Sequence, residues 1–231
     1  VPWGPDDPQE DELGLARLTF DTNMGGMAFP RDYLANFRRH VLETSSAYER
    51  QWLKFCRLTW LHDGAGKSHW LIKNSVHTAR VRLVLEHFPR ALFVLLRRSP
   101  VDSIRSLVQV KQRLGALVGL QPLPDPPTQV EETATAHREL LEAFEASLHL
   151  IPAQQLLELD YDDLISQPLQ AVEGIYTHFG LTSWPVAEAP IKARIDRARS
   201  YTADPEQLPP LAERRLQELV KALCCLLYTS P

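Results

Sequence analysis

The chain has 231 residues, 44% of them hydrophobic and 23% charged, and a formal net charge of −4, the composition of one soluble globular domain. The acidic balance argues against a nucleic-acid binder, and no apolar run approaches the ~20 residues that span a bilayer, so neither nucleic acid nor membrane is an expected partner. Three cysteines, two of them adjacent at 224 and 225, make neither a disulfide framework nor a zinc site and point to a reducing, cytoplasmic compartment.

From the N-terminus, five acids fall within residues 6–12. Residues 10–20 read as a helix with Glu10, Asp11 and Glu12 at a solvated start, followed by a glycine-rich loop, Met24-Gly-Gly-Met27. Two helices with aromatic inner faces are expected at about 32–43 and 47–60. A turn at 63–67 then leads to a strand over 69–73, which puts Lys73 at a strand's carboxyl end. In the helix expected at 77–88, Val81, Val84, Leu85 and Phe88 stand at i, i+3, i+4 and i+7, and Pro89 stops it.

Residues 91–96 form an apolar run of strand length with no polar position, as in a buried central strand of a parallel sheet. The run ends in Arg97 and Arg98, and a helix over 100–118 follows: Ser99 suits its N-cap, Pro100 its first position and Asp102 the positive end of its dipole. Four prolines make 121–127 a loop. Beyond it come a long helix over 128–148, a strand over 155–159, a helix over 169–179 with Gly180 as its C′ residue, a loop over 197–210 and a helix over 211–223. Strands alternating with helices predict an α/β protein, a parallel sheet with right-handed crossovers flanked by helices.

Chemistry concentrates in the strand–turn–helix at 91–118, because open α/β sheets bind ligands at the carboxyl ends of their strands. Residues 89–113 hold six Lys or Arg against the single acid Asp102. Arg98 leaves the strand there, and Ser106 lies about two turns along the helix, roughly 10 Å from its cap. A guanidinium fork and a short hydroxyl donor suit a phosphate dianion lying beside the helix. Gly64-Ala-Gly-Lys-Ser68 looks like the end of a Walker A loop, but Leu61 stands where that loop needs glycine, a helix precedes and a strand is expected to follow. It reads as a turn, which removes the P-loop NTPase reading.

Four stretches in order carry a family resemblance. They are Trp70-Leu-Ile-Lys-Asn-Ser-Val-His77, His87-Phe-Pro-Arg-Ala91, the Arg98-x-Pro-x-Asp segment with Ser106, and Leu159-Asp-Tyr-Asp-Asp-Leu164 followed by Pro168 and Phe179-Gly-Leu181. Over about residues 6–205 the chain resembles the bacterial-type sulfotransferases, which use 3′-phosphoadenosine 5′-phosphosulfate (PAPS) as sulfuryl donor and have a fold like that of the P-loop nucleotide hydrolases.

The resemblance implies that Arg98 and Ser106 bind the donor's 3′-phosphate, that Tyr161 packs on adenine and that Lys73 contacts the sulfuryl group. It also implies that His77 takes the proton of a hydroxyl or amine acceptor, itself a small molecule, glycan or peptide, and that no metal is needed. In cytosolic relatives the catalytic histidine stands two residues after the lysine, where this chain has Ser75, so Glu10, Asp11 and Glu12 are rival bases. Ser200 and Tyr201 resemble a short stretch late in bacterial members.

The family's opening glycine-rich loop, close to P-[KR]-S-G-T-T, has no match here. The expectation is therefore a domain over 1–223 truncated at its N-terminus and inactive by itself, with an open sheet edge beside residues 91–96, and a non-native tail over 224–231. The alternative function is a non-catalytic nucleotide- or phosphate-binding module.

Overall fold

A computed structural model describes residues 10–198 and 207–227, the last six of these as backbone only. Ser200, Tyr201 and positions 228–231 lie outside the described residues. The protein is α/β and rich in helix around a small parallel sheet. Helices α1 (Asp11–Leu15), α2 (Met24–Ala28), α3 (Tyr33–Phe37), α4 (Ser46–Asp63) and α5 (Val81–His87) precede strand β1 (Phe93–Arg97). Helices α6 (Pro100–Val118) and α7 (Pro126–Ser147) link β1 to β2 (Leu156–Asp160), and α8 (Tyr161–Ser166), α9 (Pro168–His178), α10 (Trp184–Ala198) and α11 (Pro210–Leu227) complete the described chain.

β1 and β2 pair in register from Phe93↔Leu156 to Arg97↔Asp160. One face of the sheet, Phe93, Leu95 and Leu156, packs on Val81, Phe144 and Ile151. The rest of the core lies between helices. Ile104 and Val108 meet Val130, Ala134 and Leu216 where α6, α7 and α11 come together. Leu15, Tyr48, Trp52 and Leu83 join α1, α4 and α5.

Local signals set several boundaries. Ser99 caps α6, its hydroxyl accepting from the Asp102 amide at 3.4 Å, and Pro100 takes the first position. Gly180, at φ +63°, ends α9 with Gly180 N–H on the Thr177 carbonyl and Leu181 N–H on that of Tyr176, a Schellman closure.

Other expectations are corrected. Residues 69–73 form no strand. A strand needs a ladder partner, and this stretch has none among the described residues; Trp70 packs on the α4–α5 core while Leu71 is 89% exposed. The glycine-rich loop is instead α2, whose buried Gly26 brings the backbone against Tyr33, where a Cβ would lie 2.9 Å from the ring. The helix expected over 77–88 divides into a 3-10 turn, Ser75–Ala79, capped by Asn74, and then α5. The helix expected over 10–20 is only the five-residue α1.

β1 is covered on one face only: Val94 and Leu96 remain 40% exposed, where an all-apolar run predicted burial on both sides. Among the described residues β1 has a strand, β2, on one side alone. Helix α11 continues through Leu227, beyond residue 223 where it was expected to stop. Its backbone thus takes in the first four residues of the expected tail.

Candidate active site

The parallel register brings the carboxyl ends of β1 and β2 to one rim. Arg97 is opposite Asp160, so the residues that follow, Arg98 and Tyr161, leave the sheet side by side. The Arg98 guanidinium carbon lies 4.9 Å from the centroid of the Tyr161 ring, a cation–π contact. The N-terminus of α6 opens at the same rim, and Ser106 is half-buried along that helix. Arg97 points elsewhere, with its Nε on the Glu158 carboxylate at 2.5 Å. The structure thus brings Arg98 and Tyr161 together at the strand ends, where open α/β sheets bind ligands.

Lys73 and His77 belong to a second constellation, and so do the acids set against them as rival bases. Lys73 donates to Glu10. Asp11 and Glu12, expected at a solvated helix start, are buried; the reason is the density of donors packed around them. Asp11 accepts from Trp52 Nε1 at 2.9 Å, Asn74 Nδ2 at 2.6 Å and His77 Nε2 at 2.7 Å. Burial pushes the Asp11 carboxyl up, but the contacts with His77, Asn74 and Trp52 outweigh it and hold the group below its ordinary value. Glu12 accepts from Tyr48 Oη at 2.8 Å, Arg80 Nη1 at 2.5 Å and the Asn23 amide at 2.8 Å. Arg80 Nη2 donates to the His40 carbonyl at 2.6 Å, and Arg80 also lies over the Tyr48 ring.

His77 engages Asp11 through Nε2, which leaves Nδ1 as its other ring nitrogen. That atom is buried and has no partner. A second pair, His40 Nδ1 with Asp21 at 2.6 Å, is joined by the Ser45 hydroxyl, which also donates to Asp21.

Sequence reading missed Arg80, Tyr48, Asn74, His40 and Asp21. One signal was available. Residues 77 and 80 continue the stripe of Val81, Val84 and Phe88 backward by helical steps, so His77 and Arg80 are polar groups on a core-facing line. Ala65–Ser68 of the turn are exposed, with Gly66 at φ +73° and no helix directly after it, so it is not a phosphate loop.

A model of the sulfotransferase family matches residues 20–185. Omega-hydroxy-beta-dihydromenaquinone-9 sulfotransferase Stf3 of Mycobacterium bovis is 27% identical over 134 residues, which span 58% of this chain and 32% of that protein, and the Mycobacterium tuberculosis protein of that name matches equally. The crystal structure of sulfotransferase STF9 from Mycobacterium avium superposes with a TM-score of 0.75 at 16% identity, over 97% of this chain and 57% of that one. Sulfotransferase STF1 from Mycobacterium tuberculosis gives 0.64 at 20% identity, over 96% and 57%. The chain thus spans about a third of the curated relatives it matches and just over half of the solved structures, whose fold it shares.

Proposed function

Since the chain belongs to the sulfotransferase family, we propose that the protein moves a sulfuryl group from PAPS to the hydroxyl of a small-molecule acceptor. The observation that carries this reading is the Arg98–Tyr161 contact at the carboxyl rim of the sheet. The residues present fit the donor: Arg98 supplies a fork for two oxygens of the 3′-phosphate, Ser106 a donor for the third, and Tyr161 a face for adenine.

In the transfer, the acceptor oxygen bonds to sulfur as the bond from sulfur to the bridging phosphate oxygen breaks. The electron pair leaves with adenosine 3′,5′-bisphosphate, and the acceptor proton passes to a base. Charge develops on the departing oxygen, so fixed cations contribute most. Lys73, exposed and paired only with the surface carboxylate of Glu10 in its described contacts, is assigned to the sulfuryl oxygens. His77 is assigned as base: ionised Asp11 fixes its Nε2–H and leaves Nδ1 to accept.

The relatives' name specifies an omega-hydroxy dihydromenaquinone, which favours a small hydroxylated acceptor over a glycan or peptide. Sparse cysteine favours the cytoplasm. Among the described residues no helix is long and apolar enough to cross a membrane.

The test is a calorimetric titration of the full-length protein with 3′-phosphoadenosine 5′-phosphate, alongside Arg98→Ala. Saturable binding that weakens in the variant is expected. Absence of binding, or equal binding by both proteins, overturns the assignment, and binding without transfer to any alcohol favours a non-catalytic nucleotide-binding module.

A further inference from the structure

We infer that the cleft between α2 and α3 binds a neutral, apolar primary alcohol, held by His40 at its polar end, a site separate from the His77 base of the sulfuryl-transfer reading above. The cleft is shallow and open to solvent, has a volume of about 370 Å³ and is lined by Thr19, Phe20, Asp21, Gly25, Phe29, Asn36 and His40. That volume falls in the range of small-molecule sites, which combine apolar walls with a few placed polar groups. Phe20 and Phe29 provide the walls, and Phe20 is 82% exposed.

The polar end selects the ligand's charge. His40 Nδ1 and the Ser45 hydroxyl both engage Asp21, and the Asp21 amide donates to Thr19 Oγ1 at 3.1 Å. An anion entering the cleft meets the Asp21 carboxylate and is repelled. A cation finds both carboxylate oxygens already bonded to donors. The ring nitrogen of His40 that Asp21 does not engage, Nε2, remains for a hydroxyl. His40 is held from behind as well, since its carbonyl accepts from Arg80, which also binds Glu12 beside Asp11. The cleft therefore adjoins the network that carries His77.

Gly25 lines the cleft with room for a side chain: a Cβ there would stand 3.4 Å from Asn36 Oδ1, and its φ is not positive. Gly25→Leu places a butyl group in the ligand's space, and His40→Ala removes the polar end. The probes are 1-decanol and methyl decyl ether, followed by amide chemical shifts on the folded protein, with 3′-phosphoadenosine 5′-phosphate titrated in parallel.

Decanol is expected to bind saturably and shift the amides of Gly25, Asn36 and His40. The ether, which cannot donate, should bind several-fold to about tenfold more weakly, the span of one hydrogen bond. His40→Ala should bring decanol to the level of the ether, and Gly25→Leu should weaken both probes while leaving nucleotide affinity unchanged. Should Gly25→Leu fail to fold, Phe29→Ala tests the same wall. Equal binding of alcohol and ether, or indifference to both wall variants, overturns the inference. Nucleotide binding without decanol binding strikes the cleft alone. Decanol binding that depends on His40, without nucleotide binding, leaves the cleft standing and strikes the donor reading instead.

Discussion

Among the described residues two arginines lie over tyrosine rings, and their settings are opposite. Arg98 meets Tyr161 at the exposed rim of the sheet, with 4.9 Å from guanidinium carbon to ring centroid. Arg80 meets Tyr48 at 4.1 Å with its side chain 0% exposed, and it also bonds Glu12, whose side chain is 2% exposed. The rim pair stays in reach of solvent and ligand. In the buried pair the Arg80 charge is matched by the Glu12 carboxylate, because an ion there without a counter-charge would be prohibitively costly, though Arg80 Nε itself has no hydrogen-bond partner. One pair suits recognition, and the other fixes where α1, α4 and the His40 backbone sit.

The contrast breaks most visibly at Arg80. Arg80→Met would leave the Glu12 carboxylate buried without its cation and should cost about 3–5 kcal/mol in denaturant unfolding. Glu12→Gln combined with Arg80→Met should be less destabilised than Arg80→Met alone, since the stranded charge is gone. A cost for Arg80→Met no larger than that of a surface substitution would show that the network is not structural.

Arg98→Ala should give the reverse profile. Stability should change by no more than about 0.5 kcal/mol, as is usual for an exposed position. Affinity for 3′-phosphoadenosine 5′-phosphate should fall by roughly 1.5–3 kcal/mol, typical of a charged hydrogen bond. A variant that unfolds instead would move Arg98 into the same class as Arg80 and dissolve the comparison.

The two regions also differ in how far the sequence discloses them. The rim is written locally: an apolar run, two arginines, then Ser99, Pro100 and Asp102 in cap positions specify strand, turn and helix within a dozen residues, and α6 has the predicted bounds. The buried network is assembled from residues up to 68 positions apart, as with Glu12 and Arg80, and no local periodicity encodes such a pairing. For that reason the acids of α1 read as a solvated helix start. Residues 69–73 failed for a related cause: strand composition was present, but a strand exists only with a partner, and pairing is a property of the whole fold. The cleft at His40 was illegible because its walls come from a loop and two five-residue helices, α2 and α3, with weak sequence signatures.

Acid titration sharpens the buried side. The Asp11 carboxyl is held below its ordinary value, since contacts with His77, Asn74 and Trp52 outweigh the upward push of burial. A carboxylate depressed in the folded state stabilises the fold above its unfolded pKa, about 3.9, and that stability is lost as pH falls from there through the folded value. Asp11→Asn should flatten the fall in stability below about pH 4. An unchanged acid limb in the variant would mean that the His77–Asp11 contact contributes nothing to the native state.

The smallest expected effect lies next to the largest binding effect in sequence. Arg97 pairs with Glu158, but the two side chains are 58% and 40% exposed, so water screens the attraction and side-chain entropy opposes it. Arg97→Ala should therefore cost no more than about 1 kcal/mol of stability. Its effect on 3′-phosphoadenosine 5′-phosphate should be smaller than that of Arg98→Ala, because Arg97 leaves β1 one position earlier and is turned toward Glu158 rather than Tyr161. Parallel titrations of the two single variants and the double variant decide the matter. If Arg97→Ala weakens the nucleotide as much as Arg98→Ala, the eight-residue spacing from Arg98 to Ser106 no longer identifies the phosphate ligand, and the rim binds its dianion through overall positive charge instead.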